Sequence, residues 1–115
     1  MSGNINFNGW INDDGSENYK CRAWVNFNGT GTVAIRASGN VSSITDHGTG
    51  NYTVNFSTSM PDANYSWAAE RSYRGHLNTD NTAGYVTSSS IRFITWEESN
   101  GTPYDPPFVS VAIFR

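Results

Sequence analysis

Charge is scarce in this chain of 115 residues. Asp, Glu, Lys and Arg make up 15% of it, against about 25% in ordinary globular chains, and Lys20 is its one lysine. With a formal net charge of −3 there is no clustered basic footprint of the kind nucleic acid requires. A lone cysteine, Cys21, excludes an internal disulfide, and its place in a strand-like run predicts a buried thiol. No apolar run approaches the ~20 residues that span a bilayer as a helix. Met1-Ser2-Gly3-Asn4 lacks the basic and apolar regions of a secretory signal. These absences fit assembly inside a bacterial cytoplasm and would equally fit any cytosolic protein; neither nucleic-acid binding nor membrane insertion is expected.

Enzyme signatures are missing as well. There is no Gly-x-Ser-x-Gly elbow, no phosphate-cradling Gly-rich loop before a helix, and no His-Glu-x-x-His. The adjacent acids Asp13-Asp14 and Glu97-Glu98 would point to opposite faces of an extended strand, so neither pair acts jointly there. Asp46 and Asp62 stand in turn contexts that favour an Asx hydrogen bond to the backbone. Two isolated histidines, His47 and His76, fall short of the three or four ligands of a metal site, although one His on a threefold axis would supply three. The expectation is no catalysis, no cofactor and no metal.

What fills the space left by charge is amide and hydroxyl. Asn, Ser, Thr and Gly number 14, 14, 11 and 11, and 16 aromatics with a regular apolar alternation argue for a folded chain rather than disorder. No segment reads as a helix. Turn signals at Asn28-Gly29, Ser38-Gly39-Asn40, Asp46-His47-Gly48 and Pro61-Asp62 recur roughly every ten residues, the rhythm of an all-β sandwich or barrel. Tyr52, Val54 and Phe56 alternate with Asn51, Thr53 and Asn55. Cys21, Ala23, Val25 and Phe27 form a similar apolar row, as do Val33, Ile35 and Ala37. Such alternation fixes register, because a one-residue slip would turn the row into water. The predicted fold is an antiparallel β-sandwich, jelly-roll-like or simpler, over residues 20–115, with residues 1–19 as a separate N-terminal segment.

The last strands carry apolar residues on both faces. In residues 90–97, Ile91 and Phe93 oppose Ile94 and Trp96; in 108–114, Val109, Val111 and Ile113 oppose Phe108, Ala112 and Phe114. A small sandwich normally wets one face of each sheet, so part of this surface is expected to meet another subunit.

The wording of residues 22–56 is distinctive. Ala23-Trp24-Val25-Asn26-Phe27-Asn28-Gly29-Thr30, Val33-Ala34-Ile35-Arg36, Asn40-Val41-Ser42-Ser43-Ile44-Thr45-Asp46 and Gly48-Thr49-Gly50-Asn51-Tyr52-Thr53-Val54-Asn55-Phe56, continued by Met60-Pro61-Asp62-Ala63-Asn64-Tyr65, resemble a segment recurring in tail-fibre and other virion structural proteins of aquatic bacteriophages. The resemblance covers about forty residues and carries fold rather than chemistry. It implies a place in a virion. Taken with the ion-poor polar surface and the two apolar faces of the last strands, it leads to the expectation of a C-terminal tail-fibre-like domain that forms a homotrimer, has other virion tail proteins as partners, and contacts a bacterial surface glycan or outer-membrane receptor. Residues 1–19 would then be the junction to an upstream fibre shaft. A free-standing monomeric carbohydrate-binding module is the alternative.

Residues 72–84 and 97–107 are the longest loop-like stretches, and long loops in compact domains are often functional, so contact is expected on loops 72–84 and 96–107. Tyr73, Arg74 and His76 join an aromatic, a forked cation and a second polar ring. Trp96, Glu97, Asn100, Tyr104 and Asp105 add a similar mixture. An aromatic face flanked by amides and carboxylates suits a sugar ring. Trp24, Phe27, Tyr52, Phe56 and Trp67 read as core or turn-packing residues, and Trp10 as a loop residue.

Overall fold

A computed structural model describes residues 3–6, 9–18, 20–72, 75–79, 82–97, 99 and 101–115. Among them the chain is all-β. Strands β1 (Gly3–Asn6), β2 (Gly9–Asn12) and β3 (Glu17–Asn18) form a small antiparallel sheet of their own, so Trp10 lies in a strand, not a loop. The remaining strands are β4 (Cys21–Asn28), β5 (Ala34–Gly39), β6 (Val41–Gly48), β7 (Asn51–Phe56), β8 (Ser66–Arg71), β9 (Gly75–Asn78), β10 (Ser90–Glu97) and β11 (Val109–Phe114). They build two antiparallel four-stranded sheets that pack as a sandwich. The back sheet has the order β5-β4-β11-β8 and the front sheet β6-β7-β10-β9. Hairpins β4–β5 and β6–β7 each stay within one sheet, which makes this the simpler sandwich rather than a jelly roll.

The corner between the sheets is one residue, Asn40, at φ 55°. Asn tolerates this left-handed conformation, and its side chain fastens the corner. Its Nδ2 donates to the Arg22 and Thr58 carbonyls, and its Oδ1 accepts the Thr58 N–H.

The core follows from the alternation. Ala23, Val25 and Phe27 of β4 and Val109, Val111 and Ile113 of β11 point inward from the back sheet, against Tyr52, Val54, Phe56, Ile91 and Phe93 of the front sheet. Each large side chain buried here stabilises the fold by roughly 1.5–3 kcal/mol. Phe27 meets Tyr52 edge-on across the sheets at 5.3 Å. The Tyr65 hydroxyl is 2.9 Å from the Thr87 carbonyl and 3.0 Å from that of Ser90, and burial pushes its pKa up to about 12.

Several expectations are corrected. Cys21 is exposed, because β4 reaches past the core at that end. Its Sγ lies 3.3 Å from the Ala23 carbonyl. The row Val33, Ile35, Ala37 does not form one buried face: the register shift between Asn26 and Phe27 sets Ile35 opposite inward-facing Phe27 but Ala37 opposite outward-facing Asn26, and β5 is an edge strand exposed along most of its length, with Ile35 open and Val33 packed against the core. His47 sits in β6 rather than at a hairpin tip, since a bulge between Asp46 and Gly48 moves the turn to residues 49–50. Trp24 and Trp67 are 43% and 40% exposed, so neither is a core residue. The stretch 72–84 contains a strand, β9. Asp46 and Asp62 do make Asx bonds, accepting the Gly48 and Asn64 N–H groups.

Candidate functional site

Strand register gathers an unusual set of side chains on the outward face of the front sheet. Four cross-strand rows run across it. The first is Ser43–Asn55–Ser90, and the second is Thr45–Thr53–Arg92. The bridge between Val86 and Ile91 sets Tyr85 beside Arg92 at the end of that second row. The third row is Gly48–Asn51–Ile94–Asn78. The fourth is Pro103–Trp96–His76. Residues directly opposite on a sheet share a face, so among the described residues amides, hydroxyls, imidazoles, the rings of Trp96 and Tyr85 and the Arg92 guanidinium lie on one surface. Trp96, Ile94, Arg92 and Tyr85 are half-buried, while His76, Asn78, Thr45 and His47 are exposed.

The polar groups hold one another in place. Asn55 Nδ2 donates to Ser43 Oγ at 3.2 Å and to Thr45 Oγ1 at 2.9 Å. His47 Nε2 lies 2.7 Å from Thr53 Oγ1. Arg92 Nε donates to Asn51 Oδ1 at 2.8 Å, and its guanidinium stacks over the Tyr85 ring at 4.7 Å. Partial desolvation first, then the Arg92 charge, hold the His47 pKa below its ordinary value, with Asp46 opposing. At neutral pH His47 is therefore an uncharged imidazole, able to donate or accept.

One glycine makes the upper end of the face possible. Gly75 sits at φ 149°, and a Cβ there would run into the Trp96 carbonyl oxygen and the Arg71 guanidinium. Without a side chain, β9 can close on β10 and set His76 opposite Trp96. Beneath this junction Arg71 is buried, its guanidinium 5.2 Å from the centre of the Tyr104 ring.

The candidate residues read from the sequence thus divide. Trp96 and His76 come together as cross-strand neighbours, on strands rather than in loops. Tyr73, Arg74 and Asn100 lie outside the described residues. Glu97 organises the turn after β10: its N–H donates to the Thr102 carbonyl, its carbonyl accepts the Gly101 N–H, and its carboxylate accepts the Ser99 hydroxyl. Tyr104 is tied to β10 through a backbone bond to the Thr95 carbonyl, and its own carbonyl accepts the Thr95 hydroxyl. Asp105 is turned to internal work. Its Oδ1 accepts the Gly50 N–H at 2.7 Å and the Tyr52 hydroxyl at 2.5 Å, so it does not share the surface that Trp96 occupies. Burial and this carboxylate raise the Tyr52 pKa far above its ordinary value, keeping the hydroxyl a donor.

Sequence reading missed Arg92, Tyr85, Asn51 and Thr53. The signal was present in Arg92, Ile94 and Trp96, which alternate with the apolar Ile91 and Phe93. Among the described residues no three His, Cys, Asp or Glu side chains converge on a metal-sized point. Compared with protein families, with curated proteins and with solved structures, the chain finds no match.

Proposed function

We propose that this chain is an attachment module of a virion fibre, holding a cell-surface saccharide on the outward face of its front sheet without transforming it. The observation that carries the reading is the meeting of Trp96, Ile94 and Tyr85 with the amides and hydroxyls of Asn51, Thr53, Asn78 and Thr45 on one sheet face. A sugar ring offers an apolar C–H face and a rim of hydroxyls. Half-buried aromatic rings match the first, and fixed amides match the second. The virion assignment draws its support from the phrase block of residues 22–65.

The assembly is proposed to be a homotrimer, joined through the outward face of the back sheet. There Trp24, Phe108 and Phe114 are 43%, 49% and 41% exposed, and Ala112 and Ala68 lie beside Trp24 in the same cross-strand row. Exposed large apolar groups clustered in this way mark an interaction surface. Three copies would also multiply weak individual saccharide contacts through avidity. The same saccharide face would serve a monomeric carbohydrate-binding module, and the mass in solution separates the two.

The test is binding of the protein to host cells and to polysaccharide extracted from them. Trp96→Ala is expected to weaken binding on the order of thirtyfold, the loss of a contact worth about 2 kcal/mol, with the far-ultraviolet spectrum unchanged. The extracted polysaccharide should come through the incubation uncut. Undiminished binding by a folded Trp96→Ala variant would remove the front face from the account, and reproducible cleavage would remove the non-catalytic reading.

A further inference from the structure

We infer that the saccharide taken by the front face is acidic, and that Arg92 is the group that reads its negative charge. The inference rests on the saccharide reading above and adds the ligand's chemical class.

Arg92 is half-buried at the centre of a polar sheet face, in the row Thr45–Thr53–Arg92–Tyr85. Two contacts fix its guanidinium: Nε donates to Asn51 Oδ1 at 2.8 Å, and the plane stacks on Tyr85 at 4.7 Å from the ring centre. Both contacts are to neutral groups. No carboxylate among the described residues pairs with Arg92, and the Asp46 carboxylate, on β6 beyond β7, accepts the Gly48 N–H. The terminal Nη1 and Nη2 groups, which form the fork that recognises carboxylate or sulfate oxygens with two parallel bonds, are engaged by neither contact. In a chain with so few charges and a net charge of −3, long-range attraction of an anion is absent. A cation held rigid by an amide and a ring, with no counter-charge among the described residues, is therefore complementary to an anion at short range.

The geometry also says how the rest of the ligand would lie. Arg92, Ile94 and Trp96 follow one another on the same side of β10, so Arg92 and Trp96 stand roughly 13 Å apart along the strand, four residues at about 3.3 Å each. That separation exceeds one sugar ring. The ligand is a chain of at least two units, one stacked on Trp96 and another presenting its anionic group to Arg92. Neutral His47, hydrogen-bonded to Thr53 beside it, supplies a hydroxyl partner rather than a second cation.

The anion could be a uronic-acid carboxylate or a sulfate ester, and the experiment separates them. Three oligosaccharide probes are titrated into the intact protein: alginate oligomers, the same oligomers with their carboxyls reduced to alcohols, and sulfated galactan oligomers. Each is repeated with Arg92→Gln, Arg92→Lys and Trp96→Ala, with thermal unfolding recorded for every variant. An anionic probe is expected to bind, and to lose roughly tenfold or more in affinity with Arg92→Gln, the scale of a charged hydrogen-bonded contact. Arg92→Lys should recover part of that loss as a point charge. If the carboxylate is the anion, the reduced alginate loses affinity to the same degree; if sulfate is, the galactan alone responds to Arg92. Equal affinity for alginate and its reduced form, together with indifference of the galactan to Arg92→Gln, overturns the inference. If a neutral probe still binds and depends on Trp96, the saccharide face stands without an acidic ligand. If no probe binds at all, both readings fall. Should Arg92→Gln lower the unfolding temperature, the Arg92→Lys comparison at matched stability decides the outcome.

Discussion

Truncating Tyr52 to alanine is expected to lower the stability of the sandwich by about 3–5 kcal/mol, the range for removing a large aromatic from a packed core. The ring is fully buried and meets Phe27 edge-on at 5.3 Å. Its hydroxyl is bonded to Asp105 Oδ1, which also receives the Gly50 N–H, so the truncation takes a donor from a half-buried carboxylate as well as opening a cavity. Tyr52→Phe keeps the ring and loses the hydroxyl, and should cost about 1.5–3 kcal/mol, as for a hydrogen bond to a charged group. Gly50→Ala attacks the same junction from the backbone. Gly50 has φ 66°, and an added Cβ would come within 2.6–2.8 Å of the Thr95 carbonyl oxygen, the Thr95 hydroxyl and the Tyr104 nitrogen. Against a total of about 5–15 kcal/mol for a domain, Tyr52→Ala should move a urea midpoint far to the left. A loss under about 1 kcal/mol would contradict the placing of Tyr52 at the centre of the core.

The double change Trp24→Glu, Phe114→Glu is expected to convert the proposed trimer into a folded monomer. Both side chains leave the back sheet outward and are about two-fifths exposed. Trp24 lies flat across Gly39, where a Cβ would meet the indole nitrogen, and this spreads an apolar surface over the edge of the sheet. Obligate interfaces bury on the order of 2,000 Å² or more, and closed rotational symmetry lets one patch serve each copy. Charges on that patch would face one another in the assembly, yet they would be solvated in the single chain. Sedimentation equilibrium at micromolar concentration reads the change directly. Wild-type protein running as a monomer would rule out the trimer. Ile113 is no substitute for these positions: it is 1% exposed and points into the core, so a charge there would break the sandwich itself.

The core was legible because it alternates. Tyr52, Val54 and Phe56 are buried, while Asn51, Thr53 and Asn55 are half-buried on the other face, as their spacing predicts. β4 and β11 repeat the pattern. Legibility failed where an inserted residue shifted the register. The irregularity at Asn26/Phe27 takes β5 out of phase, and the one at Asp46/Gly48 carries His47 into the strand. β9 was hidden for a different reason: in Gly75-His76-Leu77-Asn78 only Leu77 packs against the core, too little to register as periodicity. The site was half legible. Trp96 and His76 could be chosen by residue type, but their meeting depends on a hairpin pairing, and Arg92 reaches Asn51 across 41 positions of sequence. Asp105 shows the converse. Its neighbours suggest an exposed loop contact, whereas its partners Gly50 and Tyr52 lie more than fifty residues away.

The proposed saccharide surface, the outward face of the front sheet, can be read residue by residue by amide chemical-shift mapping. Isotopically labelled protein is titrated with host-surface polysaccharide fragments, and the shifted backbone and side-chain signals are assigned. Shifts are expected at Asn51, Thr53, Tyr85, Arg92, Ile94, Trp96, His76 and Asn78, including the Trp96 indole and Asn78 amide, with Trp24, Phe108 and Phe114 unmoved. Shifts confined to the back face, or to residues 104–107, would contradict that reading.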